Sequence, residues 1–134
     1  ESSSVEKREQ SFREGFFKED YQMFVAETAE GEIVGFADFG KARDEFSNFD
    51  AELFAIYLLP EFQRKGIGGA LFKVGAQNLR ETGRNSMFLQ ALMVSPYRAF
   101  YEKLGGKIIG ESIYKLGDLD FETVYYGWED LTKI

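Results

Sequence analysis

The sequence predicts a single mixed α/β (α+β) domain, and three observations carry that expectation. Aromatic and β-branched stretches come in pairs around short polar turns, one long stretch repeats its apolar residues at helical spacing, and 134 residues (15.3 kDa) suit one core. Apolar residues make up 44% of the chain and charged ones 29%, and a 16% aromatic share is enough to pack a core instead of leaving the chain disordered. No linker, repeat or low-complexity segment divides it, so the domain spans 1–134.

Taken in order, Ser3-Ser4-Val5-Glu6 reads as a capping box opening a helix that runs through about Lys18, with Val5, Phe12 and Phe16 roughly on one face. Tyr21 to Thr28 and Ile33 to Gly40 flank Ala29-Glu30-Gly31-Glu32 and read as a hairpin. Lys41 to Asp50 is a charged, solvated loop, and Ala51 to Leu59 is a buried strand stopped by Pro60. A helix follows from near Gly66 to Gly83, because Ile67, Ala70, Leu71, Val74, Gly75 and Leu79 cover one face and Gly83 suits a C-cap. Ser86 to Val94 is a strand, Arg98 to Leu104 a short helix ended by Gly105-Gly106, and Ile108 to Leu116 with Glu122 to Trp128 a closing hairpin. The expected order is α-β-β-β-α-β-α-β-β.

Composition removes several kinds of chemistry. The chain has no cysteine and no histidine, which excludes disulfides, thiolate nucleophiles, Cys/His zinc sites and His-based triads. A formal charge of −7 and a pI near 4.7 oppose a nucleic-acid partner and favour a cationic one. The longest apolar stretch, Leu53 to Pro60, is too short to cross a bilayer, and no leader opens the chain, so no membrane partner and a cytoplasmic location are expected. The first residue is Glu1, so the chain reads as incomplete or processed at its amino end.

The most informative stretch runs from an apolar strand through Pro60-Glu61-Phe62-Gln63-Arg64-Lys65-Gly66-Ile67-Gly68-Gly69 into a helix. N–H groups at a helix start, the helix dipole and glycines without Cβ together suit an anion such as a diphosphate, and Arg64 and Lys65 add positive charge. The same glycines would also serve merely to pack the helix on the sheet. A dinucleotide fingerprint wants a glycine or alanine where Leu71 stands, and a P-loop wants Gly-Lys-Ser/Thr, which is absent.

Gln63-Arg64-Lys65-Gly66-Ile67-Gly68 resembles motif A of the GNAT superfamily of N-acetyltransferases, Gln/Arg-x-x-Gly-x-Gly/Ala. The preceding Glu52 to Glu61 is similar to the family's strand four, Phe100-Tyr101-Glu102-Lys103-Leu104-Gly105-Gly106 to its motif B, and Tyr125-Tyr126-Gly127-Trp128 completes a match from Tyr21 onward. The resemblance implies a mixed, mostly antiparallel twisted sheet with flanking helices. It also implies a chain truncated at its amino end by a first strand and helix, leaving a sheet edge exposed.

It further implies acetyl-CoA as co-substrate, with no metal. The diphosphate would lie on backbone N–H groups from Arg64, Lys65, Gly66, Ile67, Gly68 and Gly69, with Gln63 and Ala70 at the ends of the turn. The pantetheine arm would run along Leu58 and Leu59, up to Pro60, and the Leu58 N–H would face the thioester oxygen. Ser95 stands where the family usually has asparagine and reaches less far toward the same arm. Glu52 is either the base that takes the amine's proton or a solvated strand-end glutamate, with Asp50 and Glu122 as substitutes. Tyr101 is either the acid that protonates the departing thiolate or a half-buried aromatic beside Phe100.

The implied reaction is transfer of an acetyl group to a primary amine by direct attack in a ternary complex, since no cysteine can carry the acetyl group. The acceptor would be a small molecule or a peptide amine, and Phe46, Phe54 and Tyr57 either line its wall or belong to the core. Two readings compete: a catalytically idle acetyl-CoA-binding sensor or interaction module, and an anion-binding domain unrelated to CoA. A homodimer is compatible with the aromatic carboxyl-terminal strand but is demanded by nothing in the pattern.

Overall fold

The computed structural model describes residues 11–18, 20–42 and 48–134. In chain order they form β1 (Ser11–Lys18), β2 (Tyr21–Glu27), β3 (Ile33–Lys41), β4 (Ala51–Leu58), a 3-10 turn (Pro60–Phe62), α1 (Ile67–Glu81), β5 (Met87–Leu92), α2 (Arg98–Lys103), β6 (Lys107–Leu116), β7 (Leu119–Trp128) and a last 3-10 turn (Leu131–Lys133). One seven-stranded sheet runs β1-β2-β3-β4-β5-β7-β6, antiparallel throughout except where β4 meets β5.

One expected element has the wrong type. The helix read from the amino end to Lys18 is instead strand β1 from Ser11 onward, antiparallel to β2 with Ser11 opposite Glu27 and Lys18 opposite Tyr21; the capping box lies outside the described residues. Phe12 and Phe16 stand four apart, which suits a helical face, but the neighbouring edge of β2 offers a ladder of unpaired backbone groups. Pairing with it satisfies both chains, and Phe is at home in a strand. The ladder slips between Glu14 and Phe16, so Gly15, a poor helix residue, falls at the bulge. β1 covers the edge of β2 and itself stands at that end of the sheet.

The remaining elements follow the expected order with ends displaced by a few residues; the largest shift starts β7 at Leu119 instead of Glu122, after a two-residue turn. Helix α1 buries Ile67, Leu71, Phe72, Gly75, Ala76 and Leu79 along one face against β2, β3 and β4. Gly83, at φ 92, ends it by sending its N–H to the Arg80 carbonyl while the Arg84 N–H reaches Leu79. The core gathers under this helix: Phe39, Leu71 and Phe72 are fully enclosed, and Phe72 packs on Trp128 with ring centroids 5.0 Å apart. Each such side chain contributes about 1.5–3 kcal/mol by leaving water.

The short helix α2 is held on the same face of the sheet by polar ties to β7. Arg98 donates from Nε to the Tyr126 hydroxyl (3.0 Å), that hydroxyl donates to Glu102 (2.6 Å), and Trp128 Nε1 donates to the Leu104 carbonyl (3.1 Å). Six residues would not hold a helix in water without such anchors. Among the described residues, no helix is long and apolar enough to cross a membrane.

Candidate active site

The parallel contact between β4 and β5 is short. Only Ala51 opposite Met87 and Glu52 opposite Phe88 pair; beyond them the strands diverge, while β4 stays paired with β3 as far as Leu58. The result is a wedge whose closed end is at Glu52. Its β4 wall keeps backbone groups for a ligand, because the Leu59 N–H goes to the Val34 carbonyl (2.9 Å) and ladder alternation then turns the N–H groups of Ile56 and Leu58 away from β3. The Leu58 carbonyl on that side is taken by Gln63 Nε2 at 3.1 Å, so the arm expected to pair with Leu58 as an added strand meets its N–H alone.

The wedge opens into a cleft of about 850 Å³ lined by Ile56, Leu58, Arg64, Gly69, Tyr97 and Phe100 among others. The turn at its mouth is built by backbone conformation: Arg64 (φ 63) and Gly66 (φ 86) both occupy the left-handed region, which swings the chain from the 3-10 turn into α1. Gly66 caps the helix without any side-chain hydrogen bond, and the first helical bond runs from the Ala70 N–H to the Gly66 carbonyl. The N–H groups of Ile67, Gly68 and Gly69 therefore have no acceptor within the helix. The three residues differ in what surrounds them. A Cβ on Gly68 would press on Leu58 and Phe100 at 3.3 Å, whereas one on Gly69 would meet nothing within 4 Å, leaving its backbone open to the cleft. Arg64 and Lys103 bring positive charge to a chain of net charge −7.

Leu58, Gln63, Arg64, Gly66 and Gly69 thus converge on the cleft, with Lys65, Ile67, Gly68 and Ala70 in the same turn. Leu59 and Pro60 shape the exit from β4, Pro60 at the first position of the 3-10 turn. Ser95 is not among the cleft-lining residues; its hydroxyl oxygen accepts the Tyr97 N–H at 3.1 Å and so shapes the entry to α2.

Glu52 is 1% exposed and does not point into solvent from a strand end. Its neighbours Ala51 and Leu53 belong to the core under α1, so strand alternation puts Glu52 on the opposite face, at the closed end of the wedge. The six steps from Glu52 to Leu58 cover about 20 Å of strand, and Ile56 stands about 7 Å nearer. The two substitutes are engaged elsewhere. Asp50 accepts the Asn85 N–H (2.8 Å) and gives its own N–H to Ser86 (2.9 Å), and Glu122 is an exposed residue opposite Ile113 in the β6–β7 hairpin.

Tyr101 packs on Phe100 and Tyr126, with ring centroids 5.6 and 5.9 Å away, and burial first, then the nearby Tyr97, pushes its phenol above the ordinary range. The phenol that lines the cleft is Tyr97, one helical turn earlier, whose hydroxyl accepts from Gln63 Nε2 at 3.2 Å. Sequence reasoning missed Tyr97; its spacing of four from Tyr101 was the available signal. Tyr57 is 46% exposed and lies against Phe36, while Phe54 stacks on Tyr21 on the face away from the helices; Phe46 lies outside the described residues.

The site thus combines a splayed β4–β5 wedge with a glycine-rich helix start at its mouth. The pattern of the Acetyltransferase (GNAT) family matches residues 1–106. The chain belongs to that family. An uncharacterized N-acetyltransferase of Bacillus subtilis, YuaI, is 38% identical over 112 residues, which are 84% of this chain and 65% of that protein; the chain thus spans just under two thirds of this relative. Among solved structures, one assigned as a GNAT-family acetyltransferase from Desulfovibrio desulfuricans superposes with a TM-score of 0.72 at 20% identity, covering 90% of this chain and 98% of that one. Another, assigned as a streptothricin acetyltransferase from Bacillus anthracis and solved in complex with acetyl coenzyme A, gives 0.72 at 20% identity over 84% of this chain and 64% of its own. Both share the fold.

Proposed function

We propose that this chain transfers an acetyl group from acetyl-CoA to a primary amine by direct attack in a ternary complex. The observation that carries the reading is that one cleft is lined both by Gly69, at a helix start whose first N–H groups have no acceptor within the helix, and by Ile56 and Leu58, whose N–H groups turn away from β3. Donors of these two kinds match a ligand with a diphosphate and an amide-bearing arm, and family membership and the relative solved with acetyl coenzyme A support the same choice. Acetyl-CoA supplies an activated acyl group; everything else is asked of the polypeptide.

The helix start holds the diphosphate through N–H groups and dipole. The Leu58 N–H faces the acyl oxygen, where negative charge grows during attack, and such a donor is worth roughly 3 kcal/mol of barrier; the Ile56 N–H, about 7 Å along the strand, is too far to share that oxygen. Glu52 takes the proton that the amine must lose through a chain of waters, because about 20 Å of strand separate it from Leu58. Tyr101 gives a proton to the departing sulfur, and its raised pKa keeps it protonated through the neutral and mildly alkaline range. No cysteine in these 134 residues offers a covalent relay.

The test is thiol release from acetyl-CoA over a panel of primary amines, for the wild type and Tyr101→Phe. Transfer to an amine with a kcat loss of about 10²-fold or more in the variant, at unchanged thermal stability, supports the reading. CoA binding without turnover on any amine would instead identify an idle binding module.

A further inference from the structure

β6 ends the sheet, and among the described residues no strand pairs with its outer side. Every residue from Glu111 to Leu116 is exposed, including Ile113 (50%), Tyr114 (51%) and Leu116 (57%). Edge strands of this length usually carry features that discourage pairing; here these are a bulge between Ile108 and Gly110 and the charges of Lys107, Glu111 and Lys115, and beyond the bulge the strand is regular.

The register decides which backbone groups are available. The hairpin closes on Leu116 opposite Leu119 through a two-residue turn with Gly117 at φ 62, so Leu116, Tyr114, Ser112 and Gly110 turn their N–H and C=O toward β7. Glu111, Ile113 and Lys115 turn theirs outward. Read outward, this edge is acidic, apolar, basic, a pattern that complements its own reverse. A second copy laid antiparallel and centred on Ile113 sets Glu111 against the partner's Lys115 and Lys115 against the partner's Glu111. Centring on Glu111 or on Lys115 would oppose like charges instead. In the favoured register Tyr114 falls opposite the partner's Ser112 and Leu116 opposite the partner's Gly110, so each large side chain meets a small one.

We infer that two copies of this chain associate through antiparallel β6–β6 addition about a two-fold axis at Ile113, extending the sheet across both molecules. Lys115 already binds its own Asp120 at 3.1 Å, but both side chains are largely exposed, so the ammonium has donors left for a second carboxylate. Glu111 lies in the field of Arg98 and Lys115 beside Asp120; the latter pair is exposed and contributes little to stability, which leaves Lys115 the position for charge reversal.

The experiment is light scattering on the 134-residue chain eluting from a gel-filtration column at about 100 µM, with Ile113→Pro and Lys115→Glu alongside. The expected wild-type mass is twice 15.3 kDa. Ile113→Pro removes an outward N–H that β7 does not use, so the hairpin keeps its ladder and circular dichroism is unchanged while the mass falls to that of a monomer. Should the proline variant unfold, Lys115→Glu decides alone: it puts glutamates opposite each other and weakens association by about tenfold or more, with partial recovery in high salt. A monomeric wild type, or a dimer that survives whichever variants fold, overturns the proposal.

Discussion

Replacing Gly69 with alanine sets stability and ligand affinity against each other. Gly69 is the third residue of α1, its Cβ position meets nothing within 4 Å, and its backbone lines the cleft. Alanine removes the entropic cost of a helical glycine, about 0.5–1 kcal/mol. At about 2.1 cal/mol/K of unfolding entropy per residue, a chain of this size converts that gain into a Tm rise of about 2–4 °C. The same methyl group stands where a diphosphate must approach the N–H groups. Losing one hydrogen bond to a charged group costs about 1.5–3 kcal/mol, or about 10- to 150-fold in affinity for CoA. Thermal melts without ligand and calorimetric titration with CoA read the two quantities separately. A variant that melts higher and binds CoA as tightly as the wild type would refute the assignment of this helix start to the diphosphate.

Gly75→Ala drives a methyl group into the fully buried Phe39 ring, so the urea midpoint should fall by the equivalent of about 1–3 kcal/mol or more. Tyr97→Phe removes the acceptor of the 3.2 Å bond from Gln63 across the cleft mouth; steady-state kinetics should show the KM for acetyl-CoA rising about 2- to 10-fold with kcat nearly unchanged. The Tyr21 phenol, partly desolvated and donating to Asp38 at 2.6 Å, is pushed up to about 12. Because the folded chain holds that proton more tightly than the unfolded one, its contribution is complete below about pH 10 and is lost as pH rises to about 12. Tyr21→Phe should therefore flatten the alkaline decline in urea midpoints measured between those limits.

Much of the site was legible because it is local. Strand, proline, glycine-rich turn and helix follow one another within Ala51 to Glu81, and the direction of the N–H groups there depends on backbone conformation set by neighbours in the chain. The closing hairpin was legible for the same reason, apart from its turn, where Gly117 alone suffices to reverse the strand.

What the linear pattern misjudged depends on distant partners. Phe12 and Phe16 satisfy helical spacing, yet the free edge of β2 decides that Ser11 to Lys18 is a strand. Asp50 and Glu122 were possible bases until the fold tied one to Asn85 and Ser86 and carried the other out along the hairpin. Glu52 and Leu58 share a strand, and only the parting of β4 from β5 shows that one closes the wedge while the other faces its open end. Tyr97 and Tyr101 differ by one helical turn, and the packing of Tyr126 against α2 determines which lines the cleft and which is buried beside it. Composition and local periodicity thus determined the chemistry excluded, the glycine-rich helix start and most of the elements, since those rest on neighbouring residues. The tertiary structure alone decided strand partners, burial and the opening of the wedge, because these are set by groups brought together from opposite ends of the chain.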